Sequence, residues 1–259
     1  MTSALLTTLI DAALAAGDAI DAIYAEDFAS VTKTDGSPVT EADHLAEAII
    51  LERLAGAFPD VPVVAEEEAA AGRIPDVGRR FFLVDPLDGT RGFVKRTGEF
   101  TVNIGLIDAH EPVAGVVYAP VGAALYYGER GVGAFRRIGR DAEAEPIRTR
   151  TRPAGGLSGI GSRDHAAPGT AERMAALGVT DFVPAGSSLK FCLVAEGTAD
   201  VYPRWGRTME WDTAAGQAVL EAAGGRVMVL EGDVAEAGPL RYGKVEAGFA
   251  NPHFIAWGQ

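Results

Sequence analysis

Asp85, Asp88 and Thr90 share one short run, Asp85-Pro86-Leu87-Asp88-Gly89-Thr90, directly after the apolar Phe81-Phe82-Leu83-Val84. This pattern predicts a buried strand that stops at Asp85, then a turn forced by Pro86 and Gly89 that carries a second carboxylate and a hydroxyl. Two carboxylates crowded at a strand end call for a cation. The oxygens on offer, from Asp85, Asp88 and the main-chain carbonyl of Leu87, suit hard Mg²⁺ better than zinc, which prefers imidazole and thiolate. Asp, Pro and Gly are also ordinary turn residues, so two solvated aspartates on a surface turn fit the same residues.

Other stretches put acids, hydroxyls or cations at the ends of elements. Val61 to Ala65 reads as a short strand finishing in Glu66-Glu67-Glu68, and its acids would meet Asp85 if the two strands were neighbours. Thr40-Glu41-Ala42-Asp43 has the Thr-x-x-acid spacing of a helix start, where Asp43 either serves chemistry or complements the helix dipole. Trp211-Asp212-Thr213-Ala214-Ala215-Gly216 sets an acid at the head of a small-faced helix, and capping accounts for a single Asp there as well as catalysis does. In Gly186-Ser187-Ser188-Leu189-Lys190, hydroxyls at a helix start either cap it or receive a phosphate or sugar oxygen. Cys192, flanked by Phe191 and Leu193, reads as a small core residue with no nucleophile pattern around it.

These residues need a scaffold, and 259 residues with 47% hydrophobic and 23% charged content are enough for one large domain or two moderate ones. The net charge of −13 argues against a polyanion-gripping surface, hence against nucleic acid polymers, so an anionic substrate must be received locally. Bound divalent ions would supply that charge. The apolar N-terminus is interrupted by Asp11, has no preceding Lys or Arg and is spaced as a helix, so it reads as neither a signal peptide nor a membrane span. The lone cysteine excludes a disulfide framework and fits a cytoplasmic setting.

Leu6, Leu9, Ile10, Ala13, Leu14, Ile20, Ile23 and Tyr24 recur at helical steps, giving a long first helix with Gly17 as its weak point. A second helix follows Thr40 with Leu45, Ile49, Leu54 and Phe58 as its apolar positions. Phe100 to Ile107, Val113 to Ala119 and Ala123 to Gly128 read as an antiparallel meander. The polar stretch Gly139 to Arg152 is the best boundary between an N-terminal α+β lobe, 1–148, and a C-terminal α/β lobe, 149–259. In the second lobe strands at Leu157 to Gly161, Phe182-Val183 and Asp200 to Tyr202 alternate with helices at Thr170 to Leu177, Ser188 to Glu196 and Asp212 to Ala223. Strands at Arg226 to Leu230 and Glu246 to Ala250 are expected to close it.

Glu66-Glu67, the Asp85 to Thr90 run and Trp211 to Gly216, in this order with Asp43 upstream, resemble the inositol monophosphatase superfamily of Mg²⁺-dependent, lithium-sensitive phosphatases. The resemblance spans essentially the whole chain and implies a layered αβαβα sandwich. Within that superfamily, Gly98 to Ile104, Ser162-Arg163-Asp164-His165, Gly186 to Gly197 and Tyr202-Pro203-Arg204 look most like the bacterial CysQ group of 3′(2′),5′-bisphosphate nucleotidases, which convert adenosine 3′,5′-bisphosphate to AMP and phosphate. Ala65 departs from a Gly common before the Glu pair, and Arg91-Gly92 from a common Lys-Glu. Neither touches a ligand position, though the second bears on substrate preference.

The resemblance implies that Glu66, Asp85, Asp88, Asp212 and the Leu87 carbonyl hold about two or three Mg²⁺ ions around the scissile phosphate. It makes Thr90, Asp43 and Glu66 the catalytic set, with Thr90 and Asp43 positioning and deprotonating a water. The N–H groups of Gly89 and Thr90 would hold a phosphate oxygen, while Ser187, Lys190, Arg204 and His165 grip the nucleotide end. Rival readings are a broad inositol-phosphate or sugar-phosphate phosphatase and a non-enzymatic nucleotide sensor. Monomer and homodimer remain equally open.

Overall fold

The computed structural model describes residues 2–33, 38–161 and 169–259. The first half begins with helix α1 (Ala4–Tyr24), a hairpin β1 (Ser30–Thr32) and β2 (Pro38–Thr40), helix α2 (Glu41–Ala57), strand β3 (Val63–Ala65) and a short helix α3 (Glu66–Ala70). Next come β4 (Arg80–Asp88), a short α4 (Thr90–Val94), β5 (Thr101–Asp108), β6 (Glu111–Ala119), β7 (Ala124–Glu129), β8 (Gly133–Ile138) and β9 (Glu145–Ile147). The second half contains β10 (Leu157–Gly161), α5 (Thr170–Ala176), β11 (Val179–Pro184), α6 (Leu189–Ala195), β12 (Val201–Arg204), α7 (Glu210–Ala222), β13 (Arg226–Glu231), β14 (Ala235–Pro239) and β15 (Phe254–Trp257).

Two sheets organise the chain. Strands β3 to β9 form a seven-stranded sheet in sequence order, with β3 and β4 parallel and the rest antiparallel. The other sheet has the order β11-β10-β12-β15-β13-β14. Helices α1 and α2 cover one face of the first sheet, α6 and α7 lie between the sheets, and α5 packs on β11, giving the αβαβα sandwich. Among the described residues no helix is long and apolar enough to cross a membrane.

The depth at which α7 sits follows from sequence. Gly105, Gly115 and Gly128 are paired neighbours on β5, β6 and β7 and form one row across the sheet. A Cβ on Gly105 would stand 2.8 Å from Ala214, one on Gly115 2.5 Å from the Ala215 carbonyl, and one on Gly128 2.9 Å from Ala222. The small residues of α7 therefore settle into a trough that no side chain can occupy. Gly115→Ala forces a Cβ onto helix backbone, so the melting temperature should fall by roughly 2–10 °C, the range for overpacking of about 1–3 kcal/mol in a chain of this size. A scan showing no loss would mean that helix and sheet separate freely.

Several expectations are corrected. Strand β4 does not stop at Asp85 but runs to Asp88, with Asp85 opposite Asn103 and Asp88 opposite Thr101 across a register shift. Pro86 is accommodated because a bulge needs no ladder N–H there. Gly17 is not a weak point: a Cβ there would lie 2.3 Å from the Tyr118 ring, so its bareness lets α1 press onto β6. The buried face of α2 is Ala42, Asp43, Ala46, Glu47, Ile50 and Leu54, leaving Leu45 exposed, because the inward face carries two acids that an apolar count passes over. Glu246 to Ala250 is no strand. Val245–Ala247 is a single 3₁₀ turn, and β15 closes the sheet instead.

Candidate active site

The bulge in β4 aims the central carboxylates. In an unbroken strand residues three apart face opposite sides, but one extra residue restores Asp88 to the side of Asp85. Val84 and Leu87 correspondingly share the buried cluster under α1 and α2, turned away from the acids. Asp85 is 1% exposed, and its Oδ1 accepts from the Leu87 N–H at 3.0 Å. Gly89 then takes a left-handed φ of 96°, where a Cβ would meet the Glu99 carbonyl at 2.7 Å. Only glycine suits that point. The chain thus turns straight into α4 and presents Thr90.

The other acids arrive from neighbouring elements. Parallel pairing of Ala65 with Val84 delivers Glu66 at the head of α3 beside the β4 acids. Asp43 is 1% exposed and uses its two oxygens separately. Its Oδ2 accepts from the Thr40 N–H and hydroxyl, each at 2.8 Å, closing a capping box, while Oδ1 lies 3.1 Å from Thr90 Oγ1. The helix-start and chemical readings of Asp43 are therefore compatible. The Thr90 hydroxyl has one proton and is also 3.2 Å from the Leu87 carbonyl. At the head of α7, Asp212 Oδ2 accepts from the Met209 N–H at 2.7 Å, leaving Oδ1 for other partners.

Electrostatics make this an unhappy cluster without a cation. Burial, then repulsion from Glu66, Asp88 and Asp212, pushes the Asp85 carboxyl well above its usual range. Burial followed by Asp88 does the same to Asp212, and burial raises Glu66 and Asp43. The Lys33 ammonium lies 2.7 Å from Glu66 Oε1 and 2.5 Å from Glu67 Oε1. Burial opposes its charge, yet Glu66 and Glu67 together hold it above the ordinary lysine value. Among the described residues the carboxylates form no ready-made ion site of three or more His, Cys, Asp or Glu side chains. Their chemistry nonetheless fits a hard divalent ion, being all oxygen, with an ammonium already drawn to one member.

One cavity joins these acids to the second half of the chain. Asp88, Gly89 and Asp212 line it together with Ser187, Lys190 and Arg204. Lys190 is 7% exposed, with Nζ 5.4 Å from the Tyr202 ring centroid. Burial pushes its ammonium down to about 8, with Asp88 opposing the fall and Arg204 adding to it. Ser187 has a left-handed φ of 47°, and its hydroxyl, like Arg204 Nε, is buried with no partner among the described residues. Such strain and unmet polar atoms cluster where a ligand is received. His165, expected at this end, lies outside the described residues.

Several residues at the site escaped the sequence reading. Ser188, passed over in favour of Ser187, has its hydroxyl 3.0 Å from Asp88 Oδ2 and 2.8 Å from the Asp212 carbonyl, so it ties the two halves together. Arg91 and Glu99, which also line the cavity, stood in stretches already singled out, Arg91-Gly92 for substrate preference and Gly98 to Ile104 for the family resemblance. Lys33 and Glu47 had no such signal, since each reaches the acids from a separate element.

A model of the inositol monophosphatase family matches residues 1–254. The 3′(2′),5′-bisphosphate nucleotidase CysQ of Salmonella typhimurium is 43% identical over 241 residues, covering 92% of this chain and 94% of the relative, and that of Escherichia coli K12 is 44% identical over the same shares. CysQ from Bacteroides thetaiotaomicron superposes with a TM-score of 0.80 at 39% identity, covering 97% of this chain and 96% of its own. On these matches the chain belongs to the inositol monophosphatase family.

Proposed function

We propose that this chain is a 3′(2′),5′-bisphosphate nucleotidase, a Mg²⁺-dependent phosphomonoesterase that hydrolyses the 3′-phosphate of adenosine 3′,5′-bisphosphate to AMP and phosphate. The observation that carries this reading is one cavity lined both by acids through which a divalent cation would receive a phosphate, Asp88 and Asp212, and by cations, Lys190 and Arg204. A bisphosphate uses both. A polyol monophosphate has no second anion for the cations to hold.

Glu66, Asp85, Asp88, Asp212 and the Leu87 carbonyl are the oxygens that would hold Mg²⁺. Bound there, such ions neutralise phosphoryl charge and stabilise the departing 3′ oxygen. Thr90 donates its hydroxyl proton to Asp43 Oδ1, which turns the oxygen lone pairs outward to accept from the attacking water. Asp43 receives the proton in that relay, and Glu66 helps to orient the water. The main-chain N–H groups of Gly89 and Thr90 receive a phosphate oxygen. Ser187, Lys190 and Arg204 bind the non-scissile end, where the unmet Ser187 hydroxyl and Arg204 Nε find partners.

Lys190→Ala and Arg204→Ala should each lower kcat/KM for adenosine 3′,5′-bisphosphate about 10–150-fold, the loss of one charge-assisted hydrogen bond of roughly 1.5–3 kcal/mol. The slower turnover of inositol 1-phosphate should barely move. Equal losses on both substrates would return the chain to the broad inositol-phosphate or sugar-phosphate reading, and absence of turnover on either by the wild type would favour a sensor.

A further inference from the structure

Helix α3 spans only Glu66–Ala70, and its N-cap Ala65 offers no side chain to the free N–H groups of the first turn. A five-residue helix does not hold itself in water, where nucleation alone is unfavourable. Yet its first residue, Glu66, has to keep a set position relative to Asp85. Pairing of β3 with β4 anchors the chain only as far as Ala65. Beyond that residue the anchor comes from α2. Glu47 is 4% exposed, one helical turn after Asp43 on the same inward face. Its Oε2 accepts from the Glu67 N–H at 2.8 Å and its Oε1 from the Glu68 N–H at 3.0 Å. One carboxylate therefore takes two successive first-turn donors in a fork, the task a capping side chain performs for a longer helix.

The fork is unusual in its setting. Glu47 adds a buried acid behind Glu66, Glu67 and Glu68, where like charges repel and burial opposes ionisation. Helix capping alone is served by Ser, Asn or Thr at Ala65 without that penalty. What a carboxylate reaching across from α2 adds is a rigid link between the helix that carries Asp43 and the turn that carries Glu66. Lys33 restrains the Glu66 and Glu67 side chains from outside, while Glu47 restrains the Glu67 and Glu68 backbone from within.

We infer that Glu47 is a positioning residue for the metal site: by clamping the Glu67 and Glu68 amides it holds the turn that carries Glu66 beside β4, where Glu66 would share a divalent cation with Asp85. This rests on the reading of Glu66 as a metal ligand. The clamp touches neither substrate nor reacting atoms, so its signature is in metal affinity.

Glu47→Gln keeps size and one acceptor oxygen but turns an NH₂ toward one of the two amides. Calorimetric titration of the substrate-free protein with Mg²⁺ should show an affinity about 10–100-fold weaker than wild type, the usual effect of losing a ligand's supporting partner. Hydrogen exchange at the Glu67 and Glu68 amides should accelerate, and raised Mg²⁺ should restore most of kcat. Ile50→Val, on the same helix and buried, serves as control: it should lower the melting temperature without moving Mg²⁺ affinity. Should Glu47→Gln not fold, Glu47→Asp, which keeps the charge but shortens the reach, takes its place with the same expected loss. Mg²⁺ affinity unchanged from wild type, or lowered no more than in Ile50→Val, overturns the inference and leaves the metal site standing. Failure of the wild type to bind Mg²⁺ would instead remove the metal reading itself, and the inference with it.

Discussion

Asp85→Asn should give a folded protein that is slower than wild type by about three or more decades, because loss of metal charge at the phosphoryl transition state removes several kcal/mol of stabilisation. The same substitution should make the chelated protein more heat-stable. Asn retains the oxygen that accepts from the Leu87 N–H while deleting a buried charge that faces Glu66, Asp88 and Asp212. The sign follows from linkage. A carboxyl whose pKa is raised on folding holds a proton that the unfolded chain has released, so its contribution to stability is full at low pH and is lost as pH rises through the raised value. In excess chelator, the melting temperature of the wild type should therefore fall as pH rises out of the ordinary carboxylate range through the raised value of Asp85, and Asp85→Asn should flatten the curve. Mg²⁺ should flatten it as well, by placing positive charge among the acids. Full activity in chelator, or a variant less stable than wild type at the alkaline end, would show that Asp85 is not part of a metal-binding cluster.

Thr90→Ala separates water activation from metal binding. The hydroxyl lies 3.1 Å from Asp43 Oδ1, and among the described residues Asp43 otherwise accepts only in capping α2 through Oδ2. Removing the hydroxyl deletes the link between that carboxylate and the water while leaving every charged oxygen of the site in place. The expected result is a fall in kcat of about 10²–10⁴-fold, the usual range for a positioned proton-transfer group. Mg²⁺ affinity measured by calorimetry should stay near that of wild type. Because Thr90 also reaches the Leu87 carbonyl, Thr90→Ser, which keeps the hydroxyl, is the informative companion and should recover much of the rate. A Thr90→Ala enzyme with unchanged kcat would reduce Thr90 to a turn residue.

Local chemistry accounts for what could be read directly. The run of Phe81 to Val84 ending in Asp85, the glycine at position 89 and the Thr40 to Asp43 spacing each declare an element and its end, because apolar runs, left-handed turns and caps are decided within a few residues. The buried acids mislead that kind of reading. Asp43 and Glu47 belong to the inward face of α2, so counting only apolar residues turned Leu45 toward the core when it is exposed. The last strand was misplaced for a related reason: Glu246 to Ala250 has strand-like composition, but its neighbourhood is a turn pinned by Glu210, which accepts from the Gly243 and Lys244 N–H groups at 2.7 and 2.8 Å. The three-residue strands β1 and β9 have too few residues for periodicity to mark them, and they exist because a neighbouring strand supplies their hydrogen bonds.

By itself the sequence determined the number and kind of the acids, the strand and helix ends that carry them, and a resemblance that implied the layered sandwich. Tertiary structure alone decided how those ends meet. A bulge between Asp85 and Asp88 puts both carboxylates on one side of β4, and a bare row at Gly105, Gly115 and Gly128 lets α7 bring Asp212 down onto them. Parallel pairing sets Glu66 beside β4, a carboxylate from α2 grips the turn behind it, and Lys190 and Arg204 reach the same cavity from the other half of the chain. The physical reason is one of range. Capping, turns and periodicity act between residues close in sequence, whereas repulsion among buried charges and the fit of a helix into a groove act between residues that only the fold makes neighbours.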